Sequence, residues 1–142
     1  MAYKGIFTPR NPKKYNGDPT NIIWRSTWER RVMEWLDSHD QVIWWSSEEL
    51  IIPYTSPIDN KKHRYFPDFV LKVKKSDGTE QVYVWEVKPE KQTVEPKRKR
   101  KTQKFIQESV VYAINQSKWR AADIFCKKNN WIFQVITEKH LF

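Results

Sequence analysis

The chain has 142 residues, enough for one domain with one hydrophobic core. Its formal net charge is +9 at pH 7, with 39% hydrophobic and 15% aromatic residues. This composition excludes a disordered tail, and no apolar run reaches the roughly 18 residues of a membrane-spanning helix. Basic and aromatic residues in this proportion favour a nucleic acid partner, because phosphates attract Lys and Arg and bases pack on rings.

Cysteine use and the N-terminal residues indicate the compartment. Cys126 is the single cysteine, so it cannot form an intramolecular disulfide, and the sequence has no Cys/His spacing typical of zinc sites. The first residues include no apolar segment typical of a secretory signal. We therefore expect an intracellular protein in a reducing environment.

The first part of the chain predicts an arm and a helix. Prolines and Asn-Gly turn residues in residues 1–20 predict an irregular N-terminal arm that packs around the domain. Apolar residues at steps of three and four predict a helix over 21–38. Glu29 is unusual there, since it places a carboxylate within the apolar stripe.

The remaining chain predicts a sheet and two more helices. Ser76-Asp77-Gly78-Thr79 predicts a tight hairpin turn, and the charged segment 90–104 predicts a mobile basic loop. Helices are predicted over 105–115 and 117–128, with Ser117 as a possible N-cap. The element order predicts a single α/β domain over 1–142, with a central mixed β-sheet flanked by helices. The predicted strands cover 42–45, 49–54, 64–74, 80–88 and 131–137.

Two carboxylates are predicted to meet at one end of the sheet. Side chains alternate along a strand, so Glu86 and Lys88 share a face at the end of their strand. Asp68 lies among apolar residues on the preceding strand, where an unpaired carboxylate is costly. The hairpin turn lies about midway between Asp68 and Glu86, which places them side by side on adjacent strands.

These residue types indicate metal-assisted chemistry. Two close carboxylates suit Mg²⁺ or Mn²⁺, which prefer oxygen ligands. The ammonium of Lys88 can hold a phosphate oxygen, orient water or stabilise developing negative charge. With Glu29 from the facing helix, the set Glu29, Asp68, Glu86 and Lys88 predicts metal-dependent phosphodiester hydrolysis.

Pro67-Asp68 followed by Glu86-Val87-Lys88 resembles the signature of the PD-(D/E)XK nucleases. Glu29 is similar to the glutamate that many of these enzymes carry on their first helix. The resemblance implies a restriction-endonuclease-like core and a Mg²⁺ cofactor, for which Mn²⁺ substitutes. It implies that Asp68, Glu86 and the Val87 carbonyl bind the metal, that Glu29 assists, and that Lys88 positions the water and the phosphate. Cleavage would leave 5′-phosphate and 3′-hydroxyl ends.

Further segments carry a more specific resemblance over nearly the full length: Tyr3-Lys4-Gly5, Asn11 to Gly17, Trp24-Arg25-Ser26, Arg64 to Phe69 and Ser76 to Thr79. In these segments the chain resembles the head-completion nucleases of T-even-type tailed phages. Its body, including Thr137-Glu138, is similar to the endonuclease subunit of heteromeric cut-and-paste transposases. The phage resemblance implies an endonuclease that acts on packaged DNA in the host cytoplasm and associates with the virion and with head or portal proteins.

Several basic residues are candidates for DNA contact, alongside Arg25 and Lys118. The run Lys97, Arg98, Lys99, Arg100 and Lys101 follows the signature closely and predicts phosphate contact without base specificity. A solvated tether is the alternative for this run. Lys118 follows Asn115 and Gln116, where related nucleases carry polar site residues, although a helix junction capped by Ser117 explains the segment equally well. With no separate reader domain in the sequence, we expect ends, flaps or junctions as substrates.

Alternatives stay open at this stage. The acidic and basic residues of the signature also suit a surface cluster of salt bridges, and Glu29 also suits an ion pair with Arg25 or Arg64. Glu48 and Glu49 are expected to be exposed, with an approach of one of them to the site as the alternative. A non-catalytic head-assembly protein that grips DNA, or a transposase-type subunit that needs a partner to cut, are the alternative functions.

Overall fold

The computed structural model describes residues 4–97 and 102–141. Short 3₁₀ turns lie at Pro12–Lys14 and Glu90–Gln92. Within the described ranges, no helix is both long and apolar enough to cross a bilayer. The helices and strands, in chain order, are β1 (Gly5–Ile6), β2 (Ile23–Trp24), α1 (Thr27–Ser38), β3 (Val42–Ser47), β4 (Ile52–Thr55), β5 (Lys62–Tyr65), β6 (Phe69–Lys74), β7 (Glu80–Val87), α2 (Gln103–Lys128), β8 (Ile132–Ile136) and α3 (Glu138–Leu141).

A four-stranded sheet in the order β3-β6-β7-β8 forms the centre of the fold. The first three strands are antiparallel, and β8 runs parallel to β7 after the crossover through α2. The sheet is therefore mixed and flanked by helices, which confirms the predicted α/β architecture.

Alternate residues of the sheet belong to two separate cores. One face packs with α1 through Val32, Met33 and Leu36, and the other packs under α2 through Cys126. This alternation is what a sheet covered on both faces requires. The strand residues of the α1 side include Trp45, Phe69, Leu71, Tyr83, Trp85 and Val87, and those of the α2 side include Val70, Val82, Val84 and Phe133.

The first helix begins later than the predicted residue 21. Ser26 is its N-cap, and the Ser26 hydroxyl accepts the backbone N–H of Glu29 at 3.1 Å. The preceding Ile23–Trp24 pairs with Gly5–Ile6 as a strand instead. The prediction missed this boundary because apolar spacing continues across the cap, whereas the hydrogen bond of Ser26 fixes the start.

The single long strand predicted over 64–74 is wrong. It is divided into β5 and β6, which belong to different sheets, because β5 pairs with β4 in a separate two-stranded hairpin. The division falls at Phe66-Pro67-Asp68. Pro67 has no backbone N–H for a ladder, so the chain leaves one sheet there and enters the other.

The two helices predicted over 105–115 and 117–128 are one continuous helix. Thr102 caps α2, and Ser117 lies in its interior. No Gly or Pro occurs between Gln103 and Lys128 to interrupt the hydrogen-bond ladder. The helix ends at Lys128, as predicted, with Asn129 as its C-cap.

The N-terminal arm packs on α1 and on the edge strand β3. The carboxylate of Asp37 accepts the backbone N–H groups of Arg10 and Asn11 at 2.8 and 3.1 Å. Further along the arm, Tyr15 is buried and forms an isolated parallel β-bridge with Trp45. The Asn16 N–H donates to the Trp45 carbonyl at 2.7 Å. These contacts fix the end of β3 that approaches the candidate site.

Candidate active site

Asp68 and Glu86 lie side by side where β6 begins and β7 ends. Phe69 pairs with Trp85, and the same register places residue 68 opposite residue 86. Glu86 is buried, with 6% of its surface exposed. Asp68 is half-buried.

The surroundings of both carboxylates disfavour their charged forms. Burial raises the pKa of Asp68 well above its ordinary range, and the negative charge of Glu86 raises it further. Burial also raises the pKa of Glu86, while the nearby Lys88 ammonium opposes that increase. The two carboxylates are therefore held together at an electrostatic cost, which is typical of functional sites.

Hydrogen bonds from neighbouring strands fix the carboxylates. The Tyr65 hydroxyl at the end of β5 donates to Glu86 Oε1 at 2.9 Å. Burial and the Glu86 charge raise the pKa of Tyr65, so it remains a donor. The indole N–H of Trp119 approaches the same hydroxyl but makes no hydrogen bond of normal geometry.

Val87 and Lys88 complete the group around the carboxylates. The Val87 N–H donates to Asp68 Oδ2 at 2.7 Å. Because the N–H and C=O of a strand residue point toward the same neighbouring strand, the Val87 carbonyl also faces the Asp68 side. Lys88 Nζ lies 3.7 Å from Glu86 Oε2, on the predicted face.

Glu29 lies in the first turn of α1, near this group. Its half-buried carboxylate accepts the Ser26 hydroxyl at 3.3 Å. Burial raises the pKa of Glu29, and the charge of Glu48 raises it further. Its own charge contributes to the raised pKa of Asp68, which places the three acids within electrostatic reach of one another.

The two ion pairs considered for Glu29 do not form. Arg25 pairs with Glu48 instead. The guanidinium of Arg64 lies 5.8 Å from the centre of the Phe66 ring.

Two further residues lie at the site: Glu48, for which an approach to the site was the alternative to exposure, and Tyr65, which was not predicted. Glu48 is half-buried rather than exposed, and its N–H donates to the Asp68 carbonyl at 3.1 Å. It adopts a positive φ of 55°, which turns the chain at the end of β3 and is uncommon outside glycine. Tyr65 had no signal beyond its position three residues before Asp68. Glu49 is exposed, as expected.

The predicted DNA-contact residues fall in different places. Lys118 Nζ lies 5.6 Å from the centre of the Tyr65 ring, and its charge opposes the raised pKa of Glu86. Arg25 lies at the rim, in its pair with Glu48. Lys97 is exposed and lines a cavity of about 490 Å³ between the preceding loop and α2, away from the carboxylates. Arg98, Lys99, Arg100 and Lys101 lie outside the described residues.

The two polar residues of α2 that precede Ser117 and Lys118 differ in burial. Asn115 is buried, with 5% of its surface exposed, and its Nδ2 atom has no hydrogen-bond partner among residues 4–97 and 102–141. Gln116 is half-buried. Among the described residues, neither forms a hydrogen bond or an ion pair with the carboxylates.

The oxygen atoms of the site form a small set of potential metal ligands. In the described part of the chain, no group of three or more His, Cys, Asp or Glu side chains is arranged to hold a metal. The available set is the Asp68–Glu86 pair together with the Val87 carbonyl. Such a set suits a hard cation that retains water ligands, as Mg²⁺ commonly does.

Comparison with known proteins identifies the family. The chain is 37% identical to the "Head completion nuclease" of Enterobacteria phage T4 over 146 aligned positions, which cover 99% of this chain and 95% of that protein. No solved structure matches the chain. Residues 39–138, which contain β3 to β8, match the family described as "TnsA-like endonuclease N terminal". The α/β fold and the Asp68–Glu86 pair are consistent with both of these matches. The chain belongs to the TnsA-like endonuclease family.

Proposed function

We propose that this protein is a metal-dependent endonuclease that hydrolyses phosphodiester bonds in DNA. The observation that carries the proposal is the pair formed by Asp68 and Glu86, whose pKa values are raised by burial. A fold has no structural need for two carboxylates held side by side at such a cost. Lys88 beside the pair supplies the positive charge that a phosphate substrate requires.

The donor set fits Mg²⁺, with Mn²⁺ as a substitute. Carboxylate and carbonyl oxygens are the ligands these ions prefer, and Mg²⁺ is commonly held by one or two carboxylates together with water and phosphate oxygens. Asp68, Glu86 and the Val87 carbonyl would hold it. When bound, the ion would polarise the phosphate and lower the pKa of a bound water.

The residues of the chain have distinct roles in this proposal. Tyr65 and the Val87 N–H hold one oxygen of Glu86 and one of Asp68, which orients the second oxygen of each. Lys88 orients the attacking water and stabilises the negative charge that develops on the phosphate. Glu29 assists with the metal or its water ligands. The products would carry 5′-phosphate and 3′-hydroxyl ends.

DNA is the proposed substrate class. The net charge of +9 favours a polyanion, and Lys and Arg side chains bind phosphates without reading base sequence. We therefore infer that cleavage is directed by DNA structure, at ends, flaps or junctions, rather than by sequence.

The biological setting follows from the T4 relative. Because the two chains align over nearly their full lengths, we infer that this protein also acts in phage head completion. It would then work on phage DNA in the host cytoplasm, with head and portal proteins as partners and association with the virion.

A partner-dependent nuclease is the second candidate function. The match of residues 39–138 to a transposase-type endonuclease family favours it. Such a subunit would cut only in the presence of a second protein. The third alternative, a non-catalytic DNA-gripping protein, is disfavoured by the intact set of Asp68, Glu86 and Lys88.

A cleavage panel tests the proposal. The protein is incubated with linear duplex, flap, fork and four-way-junction DNA, with Mg²⁺ or with EDTA. We expect Mg²⁺-dependent cleavage that is lost in Asp68→Asn and kept in Asp123→Asn, a matched control whose acid pairs with Lys127 on α2. Cleavage in EDTA, or full cleavage by Asp68→Asn, would contradict the proposal. Cleavage only after addition of phage or transposition proteins would favour the partner-dependent function.

A further inference from the structure

We propose that the outer face of the β4–β5 hairpin binds the phosphate backbone of duplex DNA beside the cleavage position. This inference rests on the proposed function and names a contact surface outside the PD-(D/E)XK signature and the basic run that follows it.

The hairpin has one buried and one exposed face. Ile52, Tyr54 and Tyr65 pack on α2 with Trp119 and Ala122. The opposite face is formed by two cross-strand pairs, Pro53 with Arg64 and Thr55 with Lys62, and all four residues are exposed. The exposed face therefore presents two cations next to a small and a cyclic side chain, and the Arg64 guanidinium also lies 5.8 Å from the centre of the exposed Phe66 ring.

The cations of the hairpin are not neutralised by acids. Asp59 is the single acid between Ile52 and Tyr65, and it bonds to the His63 ring at 2.7 Å. In the described part of the chain, Lys61, Lys62 and Arg64 form no ion pair, whereas Lys72 and Lys127 do. The exposed Lys61 in the turn adds a third charge of the same sign. A surface of this kind is complementary to a polyanion.

The hairpin is attached directly to the carboxylate site. Tyr65 ends β5 and donates to Glu86 at 2.9 Å, so Arg64 is one residue and Lys62 three residues from a site contact. Three strand residues span about 10 Å, which corresponds to about three base-pair steps of DNA. Lys62 and Arg64 lie on the face opposite Tyr65, so in this proposal DNA with its scissile phosphate at Lys88 continues along that outer face and brings flanking phosphates to the hairpin.

Affinity and its dependence on salt test the inference. The double variant Lys62→Ala/Arg64→Ala is compared with Lys74→Ala/Lys75→Ala, which removes two exposed lysines from the other hairpin, at the opposite end of β6. Binding of a fluorescent duplex is measured by anisotropy in EDTA over a range of salt concentrations, with melting temperatures as the check on folding.

We expect the Lys62/Arg64 variant to bind duplexes of every sequence more weakly. The slope of log K against log salt should become shallower by up to about 1.8, since each phosphate neutralised contributes about 0.9. The control should retain a slope near that of the wild type. An unchanged slope for the Lys62/Arg64 variant, or an equal change in the control, would overturn the inference. An unchanged slope would favour an acidic protein surface, rather than DNA, as the ligand of the hairpin.

Kinetics with Mg²⁺ separate this inference from the proposed function. For the Lys62/Arg64 variant we expect a raised KM and a nearly unchanged kcat, because the lost contacts are equal in the ground and transition states. Hairpin-dependent binding without any Asp68-dependent cleavage would contradict the proposed function and leave the hairpin contact standing. Asp68-dependent cleavage together with wild-type DNA binding by the Lys62/Arg64 variant would contradict the hairpin contact and leave the proposed function standing.

Discussion

The strands β6 and β7 carry acids at both of their ends, in opposite surroundings. At the turn, Asp77 accepts the N–H and hydroxyl of Thr79, and these bonds lower its pKa; Glu80 pairs with Lys72 at 2.9 Å. At the other end, burial and mutual repulsion raise the pKa of Asp68, and burial raises that of Glu86. The acids at the turn support the hairpin, whereas those at the far end oppose folding when they are ionised.

This difference shows which acids the fold uses for its own stability. Those at the turn are exposed and satisfied by local partners, so their loss should affect only local structure. Those at the site are retained although they cost stability, which is the pattern expected for residues kept for function. Substitutions at the two ends should therefore have opposite effects on activity and on stability.

The largest effect should come from Glu86→Gln compared with Glu80→Gln on the same strand. We expect Glu86→Gln to lower cleavage by about 10³-fold or more, since in the proposed function it weakens a metal ligand worth several kcal/mol. Glu80→Gln should cleave like the wild type. The measurement is the single-turnover rate on the best substrate of the cleavage panel. Equal rates for the two variants would contradict a functional difference between the acids at the two ends of β7.

Lys88→Ala should lower turnover by about 10²- to 10³-fold and leave DNA affinity nearly unchanged. The reason is that, in the proposed function, its ammonium acts where negative charge develops in the transition state. Rates are measured at saturating DNA, and affinity by anisotropy in EDTA. If affinity fell while the saturated rate stayed normal, Lys88 would be a phosphate-binding residue rather than a catalytic one.

Glu29→Gln should lower cleavage by about 10²-fold, with partial recovery at raised Mg²⁺ concentration. Glutamine keeps the side-chain volume and can still bond to the Ser26 hydroxyl, so we expect normal folding. The rate is measured against Mg²⁺ concentration, beside the melting temperature. A lower melting temperature with a normal rate at every Mg²⁺ concentration would assign Glu29 to the N-terminus of α1 alone.

Tyr65→Phe should lower cleavage by about 10-fold and raise the Mg²⁺ concentration needed for half-maximal rate. It removes the 2.9 Å hydrogen bond to Glu86 and keeps the ring that packs on α2. Tyr54→Phe is the matched control, because Tyr54 packs on α2 from the same hairpin. A loss of rate without a change in Mg²⁺ dependence would contradict a role in positioning Glu86.

The smallest effects concern stability against pH in EDTA. A carboxylate whose pKa is raised in the folded state destabilises that state as pH rises through the raised value. Asp68→Asn should therefore raise the melting temperature at neutral pH, and the gain should vanish below about pH 4, where the carboxyl is protonated in both states. The pKa of Asp77 is lowered, so Asp77→Asn should show a small loss at neutral pH that also vanishes in acid. Thermal melting from acid to neutral pH measures both, and a loss of stability in Asp68→Asn at neutral pH would contradict the electrostatic account.

The placement of Asp68 beside Glu86 could be predicted because it depends on local information. In a hairpin the turn sets the register, and Ser76 to Thr79 identified the turn. The sequence also predicted that Glu86 and Lys88 share a face, since strand residues alternate. Their role in catalysis stays a prediction.

Other parts of the site depend on contacts between distant segments. Tyr65 reaches Glu86 because the chain changes sheets at Pro67, and the apolar pattern of 64–74 hides that change. Glu48 reaches the site because its backbone has a positive φ. A glutamate gives no sequence signal for that conformation. The continuous α2 was missed because Ser117 suits both a cap and a helix interior, and packing decides between them.

The arm contact on β3 also bears on how molecules of this protein behave toward one another. β3 is an edge strand, and an open edge offers its N–H and C=O groups to strands of other molecules, the first step of aggregation. Here the Trp45 carbonyl is occupied by the Asn16 N–H, and the Tyr15 hydroxyl both accepts from the Ser47 N–H and lies 3.4 Å from its carbonyl. The arm thus gives the sheet edge a built-in protection against self-association, at the end of the strand that leads into the site.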